Sequence, residues 1–284
     1  MKKVIKKNNN KKTSRGIKLK YLVGVLFLLV GTLFGVVYYY GFDPSLLADL
    51  SFYENLANPS MRIIRVQEGL RKEQIAEVIA DKLDWGPVQK NDFINAHLAL
   101  NDTKSDVNGE GYYFPKTYLV SKDEDPKGMS NAMFDEFNKA TEKIKKPKTA
   151  QIINEDTAVK IASIIQREAA GKNDMRLISG IIWNRIFSGM KLQIDATLQY
   201  AKGNEEEGWW THVTPEDKKI ESSYNTYLHE GLPPGAIANP GLDAIAAAFN
   251  PQKTNCLFYL HDKNRNIHCA VTYEEHKKNI ARYY

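Results

Sequence analysis

The stretch Ile161–Gly171 (IASIIQREAAG) puts a carboxylate where a helix wants a hydrocarbon. Ile161, Ile164 and Ile165 mark one apolar helical face, and Glu168 falls on the same side at helical spacing from each of them. A carboxyl on a buried face loses the hydration of its charged form, so its pKa rises. That is the preparation a general acid needs near neutral pH. The plain alternative is a helix-edge glutamate paired with a nearby Lys or Arg. Three features favour chemistry: the apolar position, the nearly bare Ala169-Ala170-Gly171 that follows, and downstream loops over 222–241 rich in Gly, Pro, Asn and Tyr that can line a cleft.

Other chemistries find no footing. The phosphate-binding patterns G-x-x-x-x-G-K-[ST] and G-x-G-x-x-G after a strand are absent, and the six histidines form no H-E-x-x-H pair. His229-Glu230 lacks a second histidine. No G-x-S-x-G elbow presents a serine, and Ser163 reads as helix surface. No cofactor and no metal are expected. Cys256 and Cys269 suit adjacent strands of a hairpin, but two buried thiols fit as well, and neither has a Cys–His environment.

The formal net charge is +5, but the first twenty residues hold nine Lys or Arg and no acid. The remainder therefore sums to roughly −4. A basic tail on a slightly acidic body argues against nucleic acid as a partner. Residues 21–40 (YLVGVLFLLVGTLFGVVYYY) carry no charge and match the roughly 20 residues that span a hydrocarbon core. The expectation is a single N-terminal transmembrane helix, with the tail 1–20 cytoplasmic and the rest outside the cell membrane. A linker at 41–60 follows.

Beyond it the fold class reads as α+β. A short strand in 61–69, a helix over 70–83 and another over 90–101, capped by Asn91 or Asp92, predict a small βαα module at 61–108 that resembles LysM-like parts of wall proteins. A mixed α+β domain is expected over 109–284. Helices are expected at 125–146, 174–190 and 242–251, strand-like alternation at 192–203, and a hairpin at 256–273 around Asp262–Asn266.

Several long motifs then occur in order: IASIIQREA, GIIWNRI..GMKLQIDATLQYA, SYNTYLHEGLPPGAIANPGLDAIAAAFNP, and a late FYL…H…EEHKK, preceded by GEGYYFPKTY. Together they resemble the endolytic murein transglycosylase, or YceG-like, family over about residues 20–284. Lys116, Ser223, Ala270 and Lys277 depart from its usual residues and leave roles for His268 and His276 open. The resemblance implies that 109–284 is a bacterial catalytic domain that cleaves MurNAc–GlcNAc β-1,4 bonds in nascent peptidoglycan, leaving 1,6-anhydro-MurNAc ends. It places the catalytic acid at Glu168 and substrate contacts at Gln193, Asp195, Asn225 and Tyr227. It implies glycan strands as substrate, with penicillin-binding proteins and other wall-synthesis proteins as partners. A glycan hydrolase, with Asp195 as second carboxylate, and a noncatalytic wall-binding scaffold are the alternatives.

Overall fold

The computed structural model describes residues 24–26, 28–32, 58–99, 106–146 and 153–283. The chain divides into two units, Met1–Asn58 and Pro59–Tyr284, and the second carries the site. Among the described residues no helix is long and apolar enough to cross a membrane. The transmembrane helix expected at 21–40 is corrected accordingly. Helix is described there only over 24–26 and 28–32, short of the roughly 20 residues a span needs. The rest of that stretch, the tail and most of the linker lie outside the described residues.

A lone strand leaves a row of backbone donors and acceptors unpaired. Strand β1 (Met61–Arg65) solves this with β4 (Thr117–Ser121), pairing antiparallel from Met61↔Ser121 to Arg65↔Thr117. This overturns the LysM-like module as a self-contained βαα piece. Its strand completes its sheet with a segment read as part of the next domain, and both lie within one unit. Between them come α1 (Lys72–Leu83), α2 (Pro87–Ile94) and a small ladder of β2 (Leu98–Ala99) with β3 (Asp106–Val107). Helix α2 starts before the expected Asn91 or Asp92. Pro87 occupies the first turn, where its missing N–H costs nothing, and the Gln89 side chain accepts from Gly86 N at 3.0 Å.

Helix α3 (Pro126–Glu142) is capped by Asp125, whose carboxylate accepts from Gly128 N at 2.7 Å. Helices α4 (Glu155–Glu168), α5 (Lys172–Phe187) and α7 (Leu242–Phe249) pack on one another and form the centre of the core. Ile161, Ile164 and Ile165 are all fully buried there, each worth about 1.5–3 kcal/mol of apolar burial. Gly180 of α5 permits this packing, because a Cβ there would lie 2.2 Å from the Gln252 carbonyl oxygen.

The alternation at 192–203 does not make a strand. Gln193 takes φ +52, which breaks an extended run, and the Thr197 hydroxyl donates to Ile194 O at 2.7 Å, closing the first turn of α6 (Asp195–Lys202). The hairpin does form, as β5 (Phe258–His261) with β6 (Ile267–Ala270). Cys256 and Cys269 are joined by a disulfide, with their Cα atoms 5.8 Å apart. Helix α8 (Tyr273–Tyr283) packs against both strands of the hairpin.

Candidate active site

Glu168 is the last residue of α4. The C-terminal end of a helix carries partial negative charge, which disfavours an added carboxylate. The residue keeps some solvent contact, but only through a cavity of ≈460 Å³ whose wall it forms, and its carboxyl sits among protein atoms. Burial is the largest influence on its pKa and raises it; a hydrogen bond from Tyr259 opposes this, the Asp195 charge raises it, and His261 and the Ala196 backbone lower it. The net direction is upward, so the neutral acid is favoured beyond its ordinary range.

The Tyr259 hydroxyl donates to Glu168 Oε2 at 2.6 Å. That leaves the other carboxyl oxygen to carry the acid's proton. Burial also holds the Tyr259 phenol well above its ordinary pKa, so it remains a donor. Asp195 lies exposed on the cavity wall, and its Oδ1 accepts from the Tyr227 hydroxyl at 2.6 Å. The two carboxyl groups thus each hold one tyrosine hydroxyl, in very different surroundings. The buried one favours its proton, while the exposed one faces water.

Two further groups bring these walls together. Arg185 of α5 donates from Nε to Leu257 O at 2.6 Å and from Nη1 to Leu192 O at 2.5 Å. It thereby ties the approach to β5 to the loop that delivers Gln193 and Asp195. Asp174 of α5 accepts from Ala170 N at 3.0 Å and Gly171 N at 3.1 Å, holding the turn after Glu168, and pairs with His261 Nε2 at 2.7 Å. Arg265, in the hairpin turn, donates to the Ala170 carbonyl. The hairpin is therefore fastened across the end of α4.

Of the residues expected at the site, Glu168, Gln193, Asp195 and Tyr227 line this one cavity. Asn225 does not. It is fully buried, its Nδ2 donates to Lys218 O at 3.1 Å and Ile220 O at 2.8 Å, and its Oδ1 accepts from Tyr227 N at 2.9 Å. It holds the loop that presents Tyr227. His276 lines the cavity, its ring stacked on Phe258 and its Nδ1 buried with no hydrogen-bond partner among the described residues. His268 instead bonds Asp262 at 2.9 Å and stacks on Tyr283, shaping the hairpin turn.

Sequence reading missed Tyr259, His261, Asp174 and Arg185. One signal was present: residues i and i+2 of a strand share a face, so a site on the hairpin that used Tyr259 would also use His261. It also misplaced Ser163, which is fully buried and accepts from Ile237 N at 3.0 Å. Among the described residues no group of three or more His, Cys, Asp or Glu side chains is placed to hold a metal ion. A larger groove of ≈830 Å³, lined by other positions of α5 such as Trp183 and Phe187, has no carboxylate in its wall and offers no acid.

Comparison with known proteins places the chain in a family. A Bacillus subtilis (strain 168) protein named endolytic murein transglycosylase is 31% identical over 236 residues, covering 78% of this chain and 64% of the relative. A Streptococcus pneumoniae (serotype 2, strain D39) protein of the same name is 27% identical over 250 residues, covering 78% of this chain and 45% of the relative. The chain thus spans less than two thirds of the length of either. The crystal structure of a yceG-like protein from Listeria monocytogenes superposes with a TM-score of 0.67 at 26% identity, covering 78% of this chain and 76% of that one. Residues 39–282 match the model of the YceG-like family, and the chain belongs to that family.

Proposed function

We propose that the protein is a lytic transglycosylase that cuts the MurNAc–GlcNAc β-1,4 bond inside peptidoglycan glycan strands and leaves 1,6-anhydro-MurNAc ends. The observation that carries this reading is Glu168: of the two carboxyls on the wall of a cavity large enough for sugar rings, it is the one that burial pushes toward its neutral form. The neutral acid gives its proton to the glycosidic oxygen as the C1–O bond breaks. The 6-hydroxyl of the same MurNAc then attacks C1, and the Glu168 carboxylate takes the hydroxyl's proton, which restores the acid. No water is consumed. A hydrolase would need a second carboxylate to activate water or attack C1.

Gln193, Asp195 and Tyr227 are assigned to sugar contacts, since their side chains face the same space. Asn225 is assigned to holding the loop rather than to touching sugar. The substrate lies outside the cytoplasm, and the Cys256–Cys269 disulfide suits an oxidising exterior. Newly made strands and the wall-synthesis proteins that make them, penicillin-binding proteins included, are the partners this activity calls for.

The test is digestion of purified glycan strands in oxygen-labelled water, followed by mass analysis of the new ends. Anhydro ends, lighter by one water and free of label, are expected. Labelled reducing ends would instead favour a hydrolase, a reading that Asp195 in the same cavity makes specific. No new ends from any glycan would favour a noncatalytic scaffold.

A further inference from the structure

Arg167 stands next to Glu168, whose charge acts on it, but its guanidinium is turned toward Trp210. Its guanidinium lies 3.8 Å over the ring of Trp210. Its Nε is buried without a hydrogen-bond partner, and no acceptor among the described residues takes any of its donors. The acids nearby are committed to other groups. Glu68 accepts from Gln166 Nε2 at 3.3 Å, Glu73 pairs with Arg71 at 3.1 Å, and Glu168 holds the Tyr259 hydroxyl.

A guanidinium remains charged at any physiological pH. Leaving one half-buried and unpaired costs free energy that the fold must offset elsewhere. Such a group calls for an explanation, and an absent ligand is a direct one. The surroundings are built rather than accidental. Trp210 is fixed from behind, where its Nε1 donates to Gln74 Oε1 at 2.9 Å, so its ring face is held against Arg167. Alongside, Arg71 lies 4.0 Å over Tyr200 and 4.6 Å over Trp209. Stacking fixes the plane of a guanidinium and leaves its edge, with paired N–H groups, free to grip a planar anion.

We propose that Arg167, backed by Trp210, is a receptor for a carboxylate of the peptide stem carried by the glycan strand. This rests on the transglycosylase reading and deepens it. Neighbouring Cα atoms are only about 3.8 Å apart, so the receptor and the acid at Glu168 belong to one region of the surface. Muramyl residues bear the stems, and the muramyl residue is the one whose C1 reacts. A strand positioned at Glu168 therefore carries a stem with free carboxylates close to Arg167. Trp209 and Trp210, which follow the acidic run Glu205–Glu207, act here as platforms for arginines.

The test compares strands bearing stems with strands stripped of them by an amidase. For the full chain we expect Arg167→Met to shrink the preference in KM for stem-bearing over stripped strands by about tenfold or more, the loss of a hydrogen bond to a charged group. Arg167→Lys, which keeps charge but loses the fork, should fall between. An unchanged preference would overturn the proposal, as would a loss confined to kcat. A second measurement needs no variant: calorimetric binding of a soluble muramyl peptide and of the same peptide with its carboxylates amidated. The free acid should bind at least about tenfold tighter; equal affinities overturn the idea, and inorganic phosphate displacing the peptide at equal concentration would mark a general anion site instead. If the wild type cuts neither strand yet discriminates between the two peptides, the proposed reaction fails and the receptor stands.

Discussion

Glu168→Gln separates a catalytic acid from a structural one by two readouts that move in opposite directions. The amide keeps the shape and can still accept from the Tyr259 hydroxyl, now 2.6 Å from Oε2, but it delivers no carboxyl proton. General acid–base groups contribute about 10²–10⁴-fold, or about 3–5 kcal/mol of barrier. The loss should reach at least that range, since one group serves as acid and then as base. Stability should rise. The folded pKa of Glu168 lies above its unfolded value because burial disfavours the charge. Its favourable contribution is therefore complete below the unfolded pKa, near 4.3, and is lost as pH rises through the folded value. Replacing a carboxylate that resists ionisation with a neutral amide should raise Tm at pH 8, each kcal/mol gained being worth about 2–4 °C for a unit of this size. The gap should close below about pH 4, where both side chains are neutral. Turnover of purified strands and thermal unfolding across pH 4–9 measure both. A variant that keeps activity within a few-fold and melts lower at pH 8 would refute the reasoning, because it would show Glu168 to be a paired scaffold residue.

Tyr259→Phe removes the donor that favours ionised Glu168, so the alkaline limb of the kcat/KM profile should move to higher pH; an unmoved limb would mean that the bond does not tune the acid. Asn225→Ala strands two carbonyls and one N–H in a buried loop and should cost about 2–4 kcal/mol in denaturant unfolding, whereas a direct sugar contact would raise KM and leave stability alone. Glu110 is buried, and burial pushes its pKa up to about 8; its stabilising neutral form is complete near pH 4 and is lost as pH rises through about 8. Wild-type Tm should fall between about pH 5 and 8 and level off above that, and Glu110→Gln should lack that part of the slope whatever its baseline; parallel profiles would contradict the assignment.

The parts of the site that could be read from sequence are those coded locally. Glu168 stands out because Ile161, Ile164 and Ile165 lie within two turns of it, and helix period alone sets their common face. The 256–273 hairpin was legible for the same reason. Its consequence was not, because Tyr259 meets Glu168 across 91 positions of chain, and no periodicity reports such a distance. The same limit hid β4 as the partner of β1 and left the 61–108 stretch looking independent. Gln193 illustrates a different failure. Alternation over 192–203 satisfies the strand pattern, but a residue at φ +52 and a threonine hydroxyl closing a turn decide for the helix, and neither changes the hydrophobic pattern. Asn225 and Tyr227 sit two positions apart in one polar loop, and nothing in composition says that one faces inward to scaffold and the other outward to the cavity.

The long G-L-P-P-G-A-I-A-N-P-G run looks like a binding loop from its composition, yet its second half is core. Ala236, Ile237, Ala238 and Asn239 are at most 4% exposed. Asn239 uses its whole amide: Oδ1 accepts from Gly111 N at 3.0 Å and Tyr113 N at 2.8 Å, while Nδ2 donates to Leu70 O at 3.1 Å and Glu110 Oε1 at 2.8 Å. Gly111 is required at this crossing, since it adopts φ +90 and a Cβ would lie 2.6 Å from Ala236 Cβ and from Val159 Cγ1. Helix α4 grips the same run, through Ser163 at Ile237 N and through Gln166, whose Oε1 accepts from Gly241 N at 3.0 Å. Positions 163, 166 and 168 of one helix therefore divide the labour. The first two lock the helix to a loop with little freedom of its own, and the third meets the cavity. A general acid must be held to a fraction of an ångström for proton transfer to be efficient, and this clamp supplies that precision from residues that never reach the substrate.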